Sequence, residues 1–429
     1  MIKRFFIYTL VLISGVFTLT SCKAKTSLNG PKPTVNSKTS MSKPYVILVS
    51  LDGFRWDYVD KYQPPHLSNF IENGVKAEAL VPSFPSKTFP NHYTIATGMY
   101  PDKHGLLGNS FYSYKKDLTY KIGNRELVED GSFYGGTPIW VQADKANMVS
   151  ASYFFVGSEA DVQGIRPTYY HRYDGKIKNE ARITQAIQWF SLKKKNRPHM
   201  ITMYFSDMDD VGHDFSPNND EKLKDKLFQL DRQLGALFKG VEETGLPVNI
   251  IIVSDHGMAA QSTENLIAIN DVYNDDLYTL INNGALVNIH PNKDVPIDRV
   301  IAFLKKKEQH FKVYKTSEAP GFEYTPKNED WGSLQLIPDE GHYFVSSKRI
   351  EALKKSNIEI IGVHGFDPNN EDMHGIFYAK GPAFKEGYTV PAVKNIHVYP
   401  ILCKILRIQV PSDIDGKLKE LESILKNGK

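Results

Sequence analysis

The run Tyr45-Val46-Ile47-Leu48-Val49-Ser50-Leu51-Asp52-Gly53 is the clearest mark of architecture in this chain. Its leading residues are apolar without alternation, the pattern of a strand buried on both faces. The run delivers a carboxylate, Asp52, at its carboxyl end, which is where ligands bind in an open α/β sheet. Further on, Pro85-Ser86-Lys87-Thr88 closes a Ser/Pro-rich turn, and Tyr93-Thr94-Ile95-Ala96-Thr97-Gly98 reads as a helix. Thr88 is thereby placed among the free backbone N–H groups of a helix start, which favour anions. A carboxylate and a hydroxyl are expected to share one site.

Similar apolar runs recur at Met148–Phe155, His199–Phe205 and Val248–Val253, and Gly375–Ala379 reads as a further strand. Between Phe205 and Val248, the residues Leu223, Leu227, Leu230, Leu234, Leu237 and Val241 repeat at spacings of three and four. That spacing predicts a helix with one buried face, stopped by Gly245-Leu246-Pro247. Strands alternating with helices imply a doubly wound, mainly parallel α/β sheet with helices on both faces. The section from about 266 to 343 is rich in Asn, Asp and Pro and reads as a small inserted lobe. Cys403, inside an apolar helical stretch around Val398–Leu402, reads as a buried structural thiol.

The amino terminus reads as a targeting segment. Lys3-Arg4 precedes an apolar stretch from Phe5 to Leu19, and Leu19-Thr20-Ser21-Cys22 resembles a bacterial lipobox. Residues 1–21 are therefore expected to be a lipoprotein signal peptide, with lipid carried on Cys22. Lys23 follows, with no Asp retention signal, so the sorting rule points to the outer membrane. The site would then face the periplasm or the cell surface. Residues 22–43 hold almost no large apolar side chain and read as a flexible tether; 44–429 would be the catalytic domain. The 429 residues carry a net charge of +3, which argues against a broad nucleic-acid-binding surface. Cys403 is the only cysteine besides Cys22, so the mature domain has no disulfide to form.

Four acid/histidine groups stand at strand ends or in the loops after them. They are Asp52, Asp209-Asp210-Val211-Gly212-His213, Asp255-His256-Gly257, and Val363-His364-Gly365. Carboxylate and imidazole donors suit zinc, and paired metal sites clamp the attacking and leaving oxygens of an in-line displacement. Three aspartates and a threonine alkoxide cancel two Zn²⁺, leaving a neutral site suited to a singly charged diester. Lys87 beside Thr88 is the one nearby cation that would favour a monoester. Asp207 and Asp210 read as turn groups, since only Asp209 sits four residues before His213. His92, His104 and His374 read as loop-orienting.

These blocks, with Lys87-Thr88-Phe89-Pro90-Asn91-His92-Tyr93, Tyr100-Pro101-Asp102-Lys103-His104-Gly105, Asn109 and Gly381-Pro382-Ala383-Phe384, resemble the nucleotide pyrophosphatase/phosphodiesterase family of the alkaline phosphatase superfamily. They occur in family order across almost the whole chain after the tether. The family's extra disulfide-rich and nuclease-like domains have no counterpart here, so the chain is similar to the compact bacterial type. The resemblance implies Thr88 as nucleophile and two Zn²⁺ per chain. One zinc would lie on Asp52, Thr88, Asp255 and His256, the other on Asp209, His213 and His364. It implies Asn109 as a donor to a phosphate oxygen, and Phe89, Tyr173 and Tyr204 as platforms for a nucleotide base. The implied reaction cleaves nucleotide diester or pyrophosphate bonds through a covalent threonine intermediate, releasing a nucleoside 5′-monophosphate. A lipid-headgroup phosphodiesterase, a phosphonate hydrolase and a monoesterase remain alternatives on the same core. A sulfatase is disfavoured, because Thr88-Phe89-Pro90-Asn91-His92 has neither the convertible Cys or Ser nor the Arg of that branch.

Overall fold

Strand β1 (Tyr45–Leu51) is buried at all seven positions, and the molecule is layered around it. A computed structural model describes residues 34–426. With β1, the strands β2 (Val75–Ala77), β3 (Ser150–Tyr153), β4 (Tyr169–His171), β5 (Met200–Phe205), β6 (Val248–Val253), β7 (Phe377–Lys380) and β8 (Tyr388–Val390) form one sheet. Their order across it is β8-β2-β7-β6-β1-β5-β3-β4. Only β7 runs antiparallel to its neighbours; every other adjacent pair is parallel.

Alternate residues of β1 serve opposite faces. Val46 and Leu48 join the core that holds the helices Thr88–Thr97 and Val398–Leu406, while Ile47 and Val49 join the core under the helices Asn179–Phe190 and Asp220–Glu243. Two helical layers therefore cover the sheet, which is why its central strands carry no polar alternation. The leucine stripe behaves as its spacing requires. Leu223, Leu227, Leu230, Leu234 and Leu237 are fully buried and Val241 nearly so, each such side chain contributing roughly 1.5–3 kcal/mol.

Parallel register brings the functional loops together. Leu51 lies opposite Phe205, and Ser50 opposite Val253. The residues that leave β1, β5 and β6 at their carboxyl ends thus emerge side by side. Residues 278–338 build a separate four-stranded antiparallel sheet with its own core, including Val287, Ile289, Val300, Leu304, Phe311, Leu334 and Leu336. It is pinned beside the Thr88 segment by Asp102, which accepts from the backbone N–H of Lys327 and Asn328 at 2.7 and 2.8 Å and from Trp331 Nε1 at 3.0 Å.

The start of the folded domain needs correcting. Composition suggested a tether up to residue 43, yet Asn36 is buried. Its amide accepts from the Val149 N–H and donates to the Lys194 and Arg197 carbonyls, at 2.7–2.9 Å. Ser40 donates to the Ala146 carbonyl at 3.0 Å. A polar segment can dock by satisfying backbone groups, with no apolar surface to signal it. The expected signal peptide (1–21) and the expected tether from Cys22 to residue 33 lie outside the described residues. Among the described residues, no helix is long and apolar enough to cross a membrane.

Candidate active site

Thr88 is the first residue of the Thr88–Thr97 helix, which ends at Gly98 in the left-handed region (φ 69°). The turn before it is held by Asn91. Its Nδ2 donates to the Ser83, Pro85 and Lys87 carbonyls at 3.2, 3.0 and 2.9 Å, and its Oδ1 accepts from the Ser83 N–H at 2.7 Å. This local network fixes the Thr88 hydroxyl 3.3 Å from His256 Nε2.

Asp52 follows β1 directly, and its N–H bonds to the Phe205 carbonyl at 2.8 Å. Gly53 then turns at φ 65°, and a Cβ there would lie 2.7 Å from Asp209 Cα. Only glycine allows the Asp207–Phe215 helix to approach so closely. Asp209 and His213, four apart on that helix, share a face. Asp255 and His256 leave β6. His364 likewise stands at a strand end, but of a strand outside the main sheet. It follows Ile360–Val363, which pairs antiparallel with Ala259–Ser262 in a two-stranded ribbon outside the main sheet.

The imidazoles share one orientation rule. His213 Nδ1 bonds to the Gly362 carbonyl, His256 Nδ1 to the Gly257 carbonyl and His364 Nδ1 to the Ser86 carbonyl, at 2.8–2.9 Å. A carbonyl only accepts, so each Nδ1 carries the proton and each Nε2 presents a lone pair. Those lone pairs meet carboxylates. His256 Nε2 lies 3.4 Å from Asp52 Oδ1 and 3.0 Å from Asp255 Oδ2, and His213 and His364 Nε2 lie 3.4 and 3.9 Å from Asp209 Oδ1. Asp52 Oδ1, Asp209 Oδ1 and Asp255 Oδ2 are buried and have no hydrogen-bond donor.

The lone pairs of the buried His256 and His364, facing buried carboxylate oxygens, are a costly arrangement without a cation between them. The donor set therefore fits divalent metal, and its carboxylate/imidazole chemistry suits zinc. Among the described residues, two groups of side chains stand close enough to hold an ion, Asp209/His256/His364 and Asp52/His92/Asp255. Proximity alone admits His92, but its Nδ1 bonds to the Thr88 carbonyl and its Nε2 to Ser50 Oγ, at 2.9 and 2.8 Å. The His92 Nε2 lone pair is taken up by the Ser50 hydroxyl, which fits His92 to orienting the loop. Against burial, Asp255 raises His256 above its ordinary value, while Asp52 and His364 shift toward their neutral forms. Burial, then the neighbouring Asp255 and Asp209, raise the Asp52 carboxyl well above the usual range. Burial, then His256, Lys87 and His213, push His364 well below its ordinary value.

A cavity of about 340 Å³ opens beside the cluster, lined by Asp52, Thr88, Asp209, His213 and His364 and by a mainly apolar wall. Phe89, Asn109, Tyr173 and Tyr204 all border it. Asn109 Oδ1 accepts from the Phe89 N–H at 3.0 Å, leaving its NH₂ to donate. Tyr173 is half exposed, with its ring 5.2 Å from Phe154. Tyr204, expected only as a stacking platform, also donates its hydroxyl to Asp52 Oδ2 at 2.6 Å. Lys87 turns away to donate to the Tyr343 hydroxyl at 2.8 Å, which in turn donates to the His364 carbonyl at 3.2 Å. The cavity also contains Arg125 and Glu159, which no motif marked.

The description "Type I phosphodiesterase / nucleotide pyrophosphatase" matches residues 46–367. The chain is 31% identical over 365 residues to human ectonucleotide pyrophosphatase/phosphodiesterase family member 5, covering 85% of this chain and 74% of that protein. It is 32% identical over 423 residues to a venom phosphodiesterase of Crotalus durissus collilineatus, covering 95% of this chain and 50% of that one. The chain thus spans about half the length of such venom relatives. Among solved structures, an inactive variant of the murine family member 5, in complex with AMP, superposes with a TM-score of 0.82 at 29% identity, covering 90% of this chain and all of that one.

Proposed function

Because the chain belongs to the type I phosphodiesterase / nucleotide pyrophosphatase family of the alkaline phosphatase superfamily, we propose that it hydrolyses nucleotide diester or pyrophosphate bonds with two zinc ions and Thr88 as nucleophile. One observation carries the reading: three donor-less carboxylate oxygens and three imidazole lone pairs converge around a hydroxyl at a helix start.

Asp52, Thr88, Asp255 and His256 would hold one ion, and Asp209, His213 and His364 the other. Bound there, zinc lowers the pKa of a coordinated hydroxyl and offsets charge on phosphate oxygens. Thr88 Oγ1 bonds to phosphorus as the bond to the leaving oxygen breaks, the leaving group taking the electron pair. Water then cleaves the Thr88–phosphorus ester, releasing a nucleoside 5′-monophosphate and restoring the hydroxyl. Asn109 donates its NH₂ to a non-bridging oxygen, and the start of the ten-residue helix adds its dipole. Phe89 and Tyr173 supply the faces on which a base stacks.

A monoesterase would want a free cation at the nucleophile, and Lys87 is engaged with Tyr343 instead. The deciding assay compares the 4-nitrophenyl ester of thymidine 5′-monophosphate with 4-nitrophenyl phosphate, with zinc content measured. A preference for the diester is expected; a preference for the monoester overturns the assignment.

The protein is further proposed to be exported and held at a membrane by lipid on Cys22, on the strength of Leu19-Thr20-Ser21-Cys22. Metabolic labelling with a fatty acid, lost in Cys22→Ala, is the expected result. Equal labelling of that variant rules it out.

A further inference from the structure

One ion pair in the cavity wall has no part in the chemistry above. Arg125 starts a short helix whose first turn is capped by Asn124, the side chain of which accepts from the Glu126 N–H at 3.1 Å. Its Nη2 bonds to Glu129 Oε1 at 2.9 Å and to Glu159 Oε2. Glu159 is only 6% exposed, and its other oxygen accepts from the Tyr173 N–H at 2.8 Å. A single buried carboxylate therefore ties the guanidinium to the backbone of an aromatic wall residue.

That arrangement leaves donors unused. A guanidinium carries five N–H groups in a rigid fork, and both bonds of Arg125 employ Nη2. Nε and Nη1 have no partner among the described residues, and the side chain is 43% exposed and borders the cavity. Glu129 and Glu159 offset its charge, so it is poorly suited to collecting a further phosphate. What remains is directional donation to a neutral acceptor. Where guanine, thymine and uracil carry an exocyclic carbonyl oxygen, adenine carries an amino group and keeps only ring nitrogens as acceptors. Arginine has no acceptor for that amino group.

We propose that Arg125, braced by Glu159, is a specificity-determining residue that favours nucleotides with an oxo-bearing base over adenine nucleotides. The inference rests on the phosphodiesterase reading of the same site. Its test uses the full chain and the 4-nitrophenyl esters of guanosine, thymidine and adenosine 5′-monophosphates, each kcat/KM divided by that for bis(4-nitrophenyl) phosphate, which has no base. Arg125→Gln is expected to lower the guanosine and thymidine ratios at least about tenfold, the scale of one lost hydrogen bond from a charged donor, and the adenosine ratio several-fold less. Arg125→Lys, which keeps the charge and loses the fork, is expected to fall with it. Equal falls for all three bases, or none, overturn the inference while leaving the phosphodiesterase reading intact. A wild-type protein that cleaves no nucleotide ester and no baseless diester overturns both.

Discussion

Tyr204 Oη donates to Asp52 Oδ2 at 2.6 Å, while Asp52 Oδ1 has no donor at all. The hydroxyl occupies one carboxylate oxygen and so turns the other toward His256 Nε2, 3.4 Å away. Tyr204 thereby orients the Asp52 carboxylate as well as forming part of the cavity wall.

Tyr204→Phe keeps the ring and removes only this bond. Losing such a support to a ligand costs roughly 10–100-fold in metal affinity or activity. Zinc titration should show the loss, with kcat falling and KM for nucleotide esters little changed. A raised KM confined to base-bearing substrates, with zinc affinity kept, would restore the purely stacking role.

Thr88→Ala removes the hydroxyl 3.3 Å from His256 Nε2. Turnover of any diester is expected to become undetectable, and the phosphoryl-enzyme trapped by acid quench to disappear. The carboxylates and imidazoles remain, so the variant should still take up most of its zinc. Retained turnover would remove Thr88 from the chemistry.

Chelation should destabilise the protein. Zinc that binds only the folded chain contributes about 2.7 kcal/mol at a hundredfold excess over its Kd. Thermal unfolding after dialysis against EDTA is expected at a lower Tm, restored by added Zn²⁺. An unchanged Tm would mean that Asp52, Asp209 and Asp255 do not hold an ion.

Glu323 couples pH to the fold at the nucleophile turn. Its carboxylate accepts from the Phe84 N–H at 3.4 Å, and burial raises its pKa to about 7, against relief from Lys394 and with Asp367 nearby. A carboxyl raised on folding stabilises fully below its unfolded value, and that stability is lost as pH rises through about 7. Glu323→Gln should therefore gain on the wild type between pH 5 and pH 8, by on the order of 1–2 kcal/mol. Urea midpoints at the two pH values measure the gain; parallel curves would contradict it.

Much of this site was legible before any fold was known. Asp52 follows a mostly apolar run, so its place at a strand end needed only strand periodicity. The leucine stripe from Leu223 to Val241 announced its helix for the same reason. Asp209 and His213, expected at a strand end or in the loop after it, stand on the helix Asp207–Phe215. What escaped was held by contacts between distant segments. Asn36 docks on residues more than a hundred positions away, and nothing in its polar neighbourhood signals that. Glu159 meets Arg125 across 34 residues, as a single charge in each of two unremarkable stretches.

The sequence by itself determined the layered α/β class, the helix start that presents Thr88, and the residue types able to bind metal, because these follow from local periodicity and chemistry. Only the tertiary structure decided which histidines have a lone pair to give, that His364 enters on a ribbon, and that Tyr204 orients Asp52. Those outcomes depend on which carbonyl or hydroxyl lies within about 3 Å of each polar atom. That proximity is set by packing between segments up to 278 residues apart, not by any local pattern along the chain.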